Sequence, residues 1–94
     1  MRRRKDYLLR RVADTIAVVP LGRAALDFNG MLTVNETGAY LWELLETEQT
    51  VESLTDALCA RYEVRRDQAA ADTEIFLKKL RAADALTEHT PAGG

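Results

Sequence analysis

The sequence predicts a single α+β domain in which a three-stranded antiparallel sheet is followed by three α-helices. The length of 94 residues, 47% of them apolar, suits one compact domain. Residues 7–34 hold short β-branched and aliphatic runs separated by turn residues, a pattern typical of strands. Residues 36–83 instead repeat apolar side chains at helical spacing. Strands followed by helices indicate segregated layers.

The first two strands are predicted in the segments YLLRRVA and TIAVVPL, joined by a tight turn at Ala13-Asp14. The segment AALDFNGMLTV, residues 24–34, predicts a third strand. It is interrupted at Asn29-Gly30, because Asn-Gly favours a hairpin turn or a bulge. A sheet this narrow has exposed edges, whose unpaired N–H and C=O groups can accept a further strand.

Three helices are predicted over about 36–46, from Val51, and over about 68–83. The expected N-caps are Asn35, Thr50 and Asp67, since short polar side chains can accept hydrogen bonds from the first turn. The spacing of apolar residues predicts the buried faces, which comprise Tyr40, Leu41, Leu44, Leu45, Val51, Leu54, Leu58, Tyr62, Ala69, Thr73, Phe76, Leu77 and Leu80.

Two residues of the first helix depart from its apolar stripe. Trp42 falls beside the stripe, which predicts a partly exposed contact residue. Gly38 is unfavourable in a helix relative to alanine, and we expect it to allow close packing against the sheet. Neither residue indicates chemistry.

Composition argues against catalysis. One cysteine, Cys59, and one histidine, His89, exclude an internal disulfide framework and a zinc site built from His and Cys ligands. The sequence has no Gly-rich phosphate loop and no HExxH or CxxC pattern. We therefore expect no enzymatic activity, no catalytic residues, no cofactor and no metal.

The N-terminal segment and the apolar runs bear on location. No apolar run approaches the roughly 20 residues that span a membrane. The basic N-terminus lacks the apolar region of a signal peptide, so a cytoplasmic protein without a membrane partner is expected. Residues 1–6 are predicted to be a basic flexible tail, 7–87 the domain, and 88–94 a second flexible tail.

The charge distribution bears on nucleic-acid binding. Residues 36–56 carry six acidic side chains and no Lys or Arg, so this surface repels phosphate. No nucleic-acid partner is therefore expected. A DNA-binding winged helix stays open as the alternative function. Its contacts would come from Arg65, Arg66, Lys78, Lys79 and Arg81.

Peptide binding by strand addition fits the predicted elements better. An extended peptide can pair with an open third strand, and the third helix can form the wall of a groove beside it. Leu26 and Phe28 share one face of the predicted strand, although plain core packing explains them equally well. A homodimer formed through the same open sheet edge is a further alternative.

The order of these motifs resembles the PqqD-like family, the precursor peptide recognition elements found beside enzymes that modify ribosomally made peptides. The resemblance covers roughly residues 7–87. The segments that carry it are LTVNETGAYLWELLETEQTVESLTDALCARYEV and DTEIFLKKLRAADAL. Their matching features are Asn35-Glu36-Thr37, Leu41, Trp42, Leu44, Leu45, the run Thr50 to Leu54, Tyr62, Phe76, Leu77 and Leu80.

The resemblance implies a winged-helix-like fold and a non-catalytic adaptor. Such an adaptor binds the leader segment of a precursor peptide and presents it to a modifying enzyme, often a radical SAM enzyme. The leader adds as a strand beside the third strand, in a groove flanked by the third helix. Carried onto this sequence, the peptide-binding residues are Ala25, Leu26, Asp27 and Phe28 on the strand, and Asp72, Ile75, Phe76 and Lys79 on the helix.

The end of the third helix departs from the family pattern. The family commonly places a glycine there, before a Leu-Leu or Leu-Val pair, whereas this sequence has Asp84-Ala85-Leu86. Aspartate adopts the left-handed conformation less easily than glycine. We therefore expect a different or frayed helix end.

Overall fold

The computed structural model of the chain describes residues 1–22, 25 and 32–87. The elements are β1 (Arg2–Arg3), β2 (Tyr7–Val12), β3 (Thr15–Pro20), β4 (Leu32–Val34), α1 (Glu36–Leu44), α2 (Val51–Arg61), α3 (Arg66–Ala82) and β5 (Leu86–Thr87). Strands β2, β3 and β4 form one antiparallel sheet in that order, and β1 pairs with β5 in a separate two-stranded sheet. The predicted order of three sheet strands followed by three helices is confirmed.

The hairpin of β2 and β3 turns where the sequence predicts. Val12 pairs with Thr15, so Ala13 and Asp14 form a two-residue loop. Ala13 has φ 55°, the left-handed conformation that short hairpin turns require at their first central residue. The turn fixes the register of the whole hairpin.

The third strand is shorter than predicted within the described residues. Strand β4 covers Leu32–Val34, while the predicted strand residues 24 and 26–31, like the predicted tail 88–94, lie outside the described residues. Ala25 is described, and the prediction that it lies in a strand is wrong. Its backbone is helical, because Gly22 turns the chain at φ 54° and the Ala25 N–H donates to the Gly22 carbonyl at 3.1 Å.

The N-terminal residues pack on the domain. Strand β1 pairs with β5, and the Arg3 N–H donates to the Leu45 carbonyl at 2.9 Å. The Met1 ammonium donates to the Gln49 carbonyl at 2.8 Å. These contacts correct the prediction that residues 1–6 form a flexible tail. Backbone pairing with a segment more than 80 positions away gives a short charged terminus a fixed place that local sequence does not reveal.

The first two helices begin at the predicted caps. The Asn35 side chain accepts from the Gly38 N–H at 2.8 Å. Thr50 and Ser53 form a reciprocal capping box, in which each side chain accepts from the other residue's backbone N–H. These bonds satisfy donors that the start of a helix leaves without partners.

Helix α3 begins two residues before the predicted position. Its N-cap is Arg65, which makes no side-chain capping bond, so the prediction of Asp67 as the cap is wrong. Asp67 lies in the first turn instead, where the positive end of the helix dipole favours an acidic side chain. No helix in the described part of the chain is both long and apolar enough to cross a membrane.

The core lies between the sheet and the helices. Its fully buried side chains include leucines from all three helices together with Val18 from the central strand β3. Trp42 belongs to this core with 1% of its surface exposed, so the prediction of a partly exposed contact residue is wrong. The Arg3 guanidinium lies 5.5 Å from the centre of the Trp42 ring and donates to the Trp42 carbonyl at 2.9 Å. The folded-back N-terminus thereby covers the side of α1 that carries Trp42.

Thr73 on α3 has a buried hydroxyl with no hydrogen-bond partner among the described residues. We expect Thr73→Val to stabilise the protein by about 1 kcal/mol, because the substitution keeps the shape and removes an unsatisfied polar group. Chemical denaturation measures the difference. Thr55 is the matched control, since its buried hydroxyl donates to the Val51 carbonyl at 2.7 Å. Thr55→Val should therefore not stabilise, and equal effects of the two substitutions would contradict the explanation.

Helix α3 ends in a well-formed Schellman motif. The Ala85 N–H donates to the Leu80 carbonyl at 2.9 Å, and the Asp84 N–H donates to the Arg81 carbonyl at 3.0 Å. Asp84 has φ 56° at the position that usually holds glycine. The prediction of a frayed end is corrected, because Asp84 adopts the left-handed conformation and its carboxylate pairs with Arg4 at 2.9 Å.

We expect Asp84→Gly to stabilise the protein by roughly 0.5–1 kcal/mol. Glycine removes the strain of a left-handed Cβ, whereas the exposed ion pair with Arg4 contributes less. Thermal unfolding measures the gain. Asp84→Ala is the comparison variant: it loses the ion pair but keeps the Cβ, so it should destabilise. A destabilised Asp84→Gly protein would show that the Arg4 pair outweighs the strain.

Candidate functional site

A groove of about 380 Å³ lies between β4 and α3. Strand β4 and the start of α1 form one wall, and one face of α3 forms the other. The lining residues are Thr33, Val34, Asn35, Thr37, Gly38, Leu41, Asp72, Ile75, Phe76 and Lys79.

Strand β4 offers backbone groups to this groove. Along an antiparallel strand, successive residues point their backbone N–H and C=O groups to alternate sides. In a two-residue hairpin the residue pair next to the turn is hydrogen-bonded, so the backbone groups of Thr15 bond to β2. The backbone groups of Ile16 and Val18 therefore point to β4. The Leu21 N–H, which donates to the Asp6 carbonyl at 2.7 Å, agrees with this alternation.

The same alternation points the N–H and C=O of Thr33 away from β3. Thr33 lies opposite Ala17, whose own backbone groups bond to β2. Among the described residues, β4 has β3 as its neighbour on one side and no strand on the other. The open edge of the sheet thus presents one donor and one acceptor from an exposed residue.

The helical wall combines apolar and charged side chains. Asp72, Ile75, Phe76 and Lys79 recur at intervals of three and four residues, which places them on one face of α3. Ile75 is an exposed apolar residue, with 57% of its surface accessible, whereas Phe76 is buried in the core. The wall is therefore an accessible apolar patch with a charged residue at each end.

Gly38 allows α1 to pack close to both β4 and α3. A Cβ built on Gly38 would lie 3.0 Å from Cε1 of Phe76 and 3.2 Å from Cβ of Val34. Carbon atoms in ordinary contact are about 3.5–4.0 Å apart. The predicted close packing of Gly38 against the sheet is confirmed, and the contact includes a residue of α3 that the sequence did not indicate.

An ion pair links β2 to the N-terminal end of α1 beside the groove. Arg11 of β2 donates to Glu36 at 2.8 Å. This hydrogen bond from Arg11 holds the pKa of Glu36 below its usual range. The pair ties the hairpin to the helix that follows Asn35, although both side chains are exposed and the bond contributes little to stability.

The groove brings together all four helix residues that the family resemblance implies. Leu26, Asp27 and Phe28 lie outside the described residues, and Ala25 is not among the lining residues. The sequence missed the contribution of the other wall, from Thr33 to Leu41. A signal was present, because the segment LTV runs directly into the Asn35 cap and so places a strand end beside a helix start.

The cations that DNA binding would need are partly engaged elsewhere. Arg65 pairs with Asp67 at 3.3 Å, and Arg66 pairs with Asp56. Two of the five candidate contact residues are therefore neutralised by neighbouring carboxylates. In the part of the chain that the structure describes, no group of three or more His, Cys, Asp or Glu could hold a metal ion.

Two solved structures share the fold over nearly their whole length. The structure of TbiB1 in complex with the TbiA(beta) leader peptide has a TM-score of 0.72 and 23% identity, covering 96% of this chain and 99% of that chain. A lasso peptide synthetase B1 complexed with the leader peptide has a TM-score of 0.69 and 18% identity, covering 93% and 96%. At these identities the likeness establishes the fold.

Sequence comparison identifies the family. Comparison with curated proteins gives no significant match. A family model described as coenzyme PQQ synthesis protein D, PqqD, matches residues 18–86, which is most of the chain and includes both walls of the groove. The chain therefore belongs to the PqqD family.

Proposed function

We propose that this protein is a non-catalytic adaptor that binds the leader segment of a ribosomally made precursor peptide. The leader adds as a strand to the open edge of β4 and lies in the groove against α3. The observation that carries the proposal is the outward-facing backbone of Thr33, set opposite the accessible apolar patch at Ile75. Backbone hydrogen bonds supply affinity that tolerates many sequences, and the patch selects among side chains.

The relatives support this reading. The two similar solved structures described above are complexes with leader peptides. The family model covers β4, α1 and α3, which are the elements that line the groove. A leader in this groove would contact lining residues that lie between Thr33 and Lys79, all within the matched segment.

Presentation to an enzyme follows from tethering. A bound leader holds the remainder of the precursor near the adaptor, which raises its effective concentration at the active site of an associated enzyme. A radical SAM enzyme is one such partner that the family resemblance implies. In this proposal the adaptor contributes no catalytic group and acts in the cytoplasm, where precursor peptides are made.

Titration with a leader peptide tests the proposal. The probe is a candidate leader segment, chosen from short reading frames near the gene and added to ¹⁵N-labelled protein. We expect amide shifts at residues 32–38 and 72–79, together with slowed exchange of the Thr33 amide. Shifts that avoid both segments would place binding elsewhere and contradict the groove.

Salt dependence and concentration separate the alternatives. Binding of a DNA duplex would weaken steeply as salt rises, whereas the affinity of strand addition should depend on salt much less.

Pairing of two copies through β4 would appear as a molecular mass that rises with protein concentration, and excess leader would dissociate the dimer. If the dimer forms but excess leader does not dissociate it, the two copies associate through a surface other than the groove.

A further inference from the structure

The groove carries two opposite charges at a fixed spacing. Asp72 and Lys79 are the charged residues among those that line it, and the remaining lining side chains are neutral. Both lie on α3, seven residues apart, which separates their Cα atoms by about 10.5 Å along the helix axis. Ile75 and Phe76 lie between them.

Neither charge is neutralised within the described part of the chain. Lys79 forms no ion pair there. A carboxylate oxygen of Asp72 accepts a hydrogen bond from the neutral Gln68 amide at 2.8 Å and forms no ion pair. Other acids of the protein, such as Asp56 and Glu36, do have cationic partners. The two groove charges are therefore free to pair with a ligand.

An added strand presents its side chains to α3 at alternate positions. Leu32 and Val34 pack against the core on the side of the sheet that the helices cover. Residues of the peptide on that side would recur every second position and face α3. Positions i and i+4 are about 13.6 Å apart in a strand. This spacing exceeds the separation of Asp72 and Lys79 along the helix by about 3 Å, which the flexible Lys79 side chain can span.

We propose that the groove selects peptide segments with two opposite charges four residues apart around a central apolar residue. The basic residue pairs with Asp72, the acidic residue with Lys79, and the apolar residue contacts Ile75 and Phe76. This inference rests on the proposed function and specifies its substrate class. The order of the two charges sets the direction in which the peptide lies along β4.

A phage-displayed library of random twelve-residue peptides tests this charge rule without knowledge of the natural precursor. Selection on the wild-type protein should enrich an apolar residue flanked two positions away by one acid and one base, in a constant order. Selection on the double variant Asp72→Lys, Lys79→Glu should enrich the reverse order. An unchanged order, or groove-bound peptides without any charge pattern, would overturn the rule.

Glu74 and Lys78 provide matched controls. Glu74 and Lys78 carry the same two charges on α3 but do not line the groove. They line an adjacent recess beside Val51, which shares Ile75 with the groove. The double variant Glu74→Lys, Lys78→Glu should select the same peptides as the wild-type protein. A reversed order in this control would show that overall helix charge, and not the groove, selects the peptide.

Synthetic peptides give the magnitude. Two peptides that differ only in the order of their two charges should differ in affinity for the wild-type protein by roughly three- to tenfold, as expected for two solvent-exposed ion pairs. The preference should reverse with the groove variant. If no library peptide binds the groove, the proposed function itself fails. Equal affinities of two groove-bound peptides overturn the charge rule alone.

Discussion

Thr33→Pro should weaken leader binding at least about tenfold while leaving the protein folded. Proline removes the one outward N–H of β4, which is a net loss of about 1–1.5 kcal/mol, and its ring obstructs the approaching strand. The bonds of β4 to β3 use the neighbours Leu32 and Val34 and therefore persist. Calorimetric titration with the leader peptide measures the change.

Thr33→Ala is the matched control. It keeps the N–H and changes only an exposed side chain, so its affinity should stay within about twofold of the wild-type value. A leader peptide methylated on the backbone nitrogen that faces Thr33 should lose affinity for the wild-type protein as well. Wild-type affinity in a folded Thr33→Pro protein would mean that the peptide does not pair with β4.

Local chemistry made the caps and the helical wall predictable. Asn35 and Thr50 were identifiable because a cap depends on residues within one turn of it. Ile75 and Lys79 could be placed on one face of α3 because seventeen helical residues repeat the same periodicity over several turns. Both signals operate within a few neighbouring positions, so one sequence suffices to read them.

Trp42 shows where periodicity fails. A nine-residue helix packed on more than one side buries more than a single stripe, and the third element around Trp42 comes from the N-terminus. Arg3 reaches it through the pairing of β1 with β5. A contact between the first and last described strands depends on the whole fold, so it cannot be predicted from local sequence. The basic composition of residues 1–6 instead predicted a solvated tail.

The open edge at Thr33 could be predicted only in part. The sequence indicates a strand before Asn35, but the orientation of one N–H depends on the register of three strands. That register follows from the two-residue turn at Ala13 and from where β4 pairs along β3. The first is a local property, whereas the second depends on packing between distant segments.

Gly38→Val should destabilise the protein by about 1–3 kcal/mol and weaken leader binding. The new side chain overlaps Phe76 and Val34, which a single Cβ already approaches to 3.0 Å and 3.2 Å. Valine has a higher helix propensity than glycine by a few tenths of a kcal/mol, which by itself would stabilise α1. A loss of stability would therefore come from the overlap. Urea denaturation gives the stability, and leader titration of the folded fraction gives the affinity.

Two further variants identify the cause of the loss. Ala71→Val adds the same branched side chain at an exposed position of α3, and it should change stability by no more than about 0.7 kcal/mol. Phe76→Leu shortens the side chain that meets Gly38, so the double variant should be less destabilised than the sum of the single changes by about 0.5–3 kcal/mol. Strict additivity would show that the overlap lies elsewhere. Because Gly38 and Phe76 both line the groove, this coupling also links the stability of the fold to the shape of the groove.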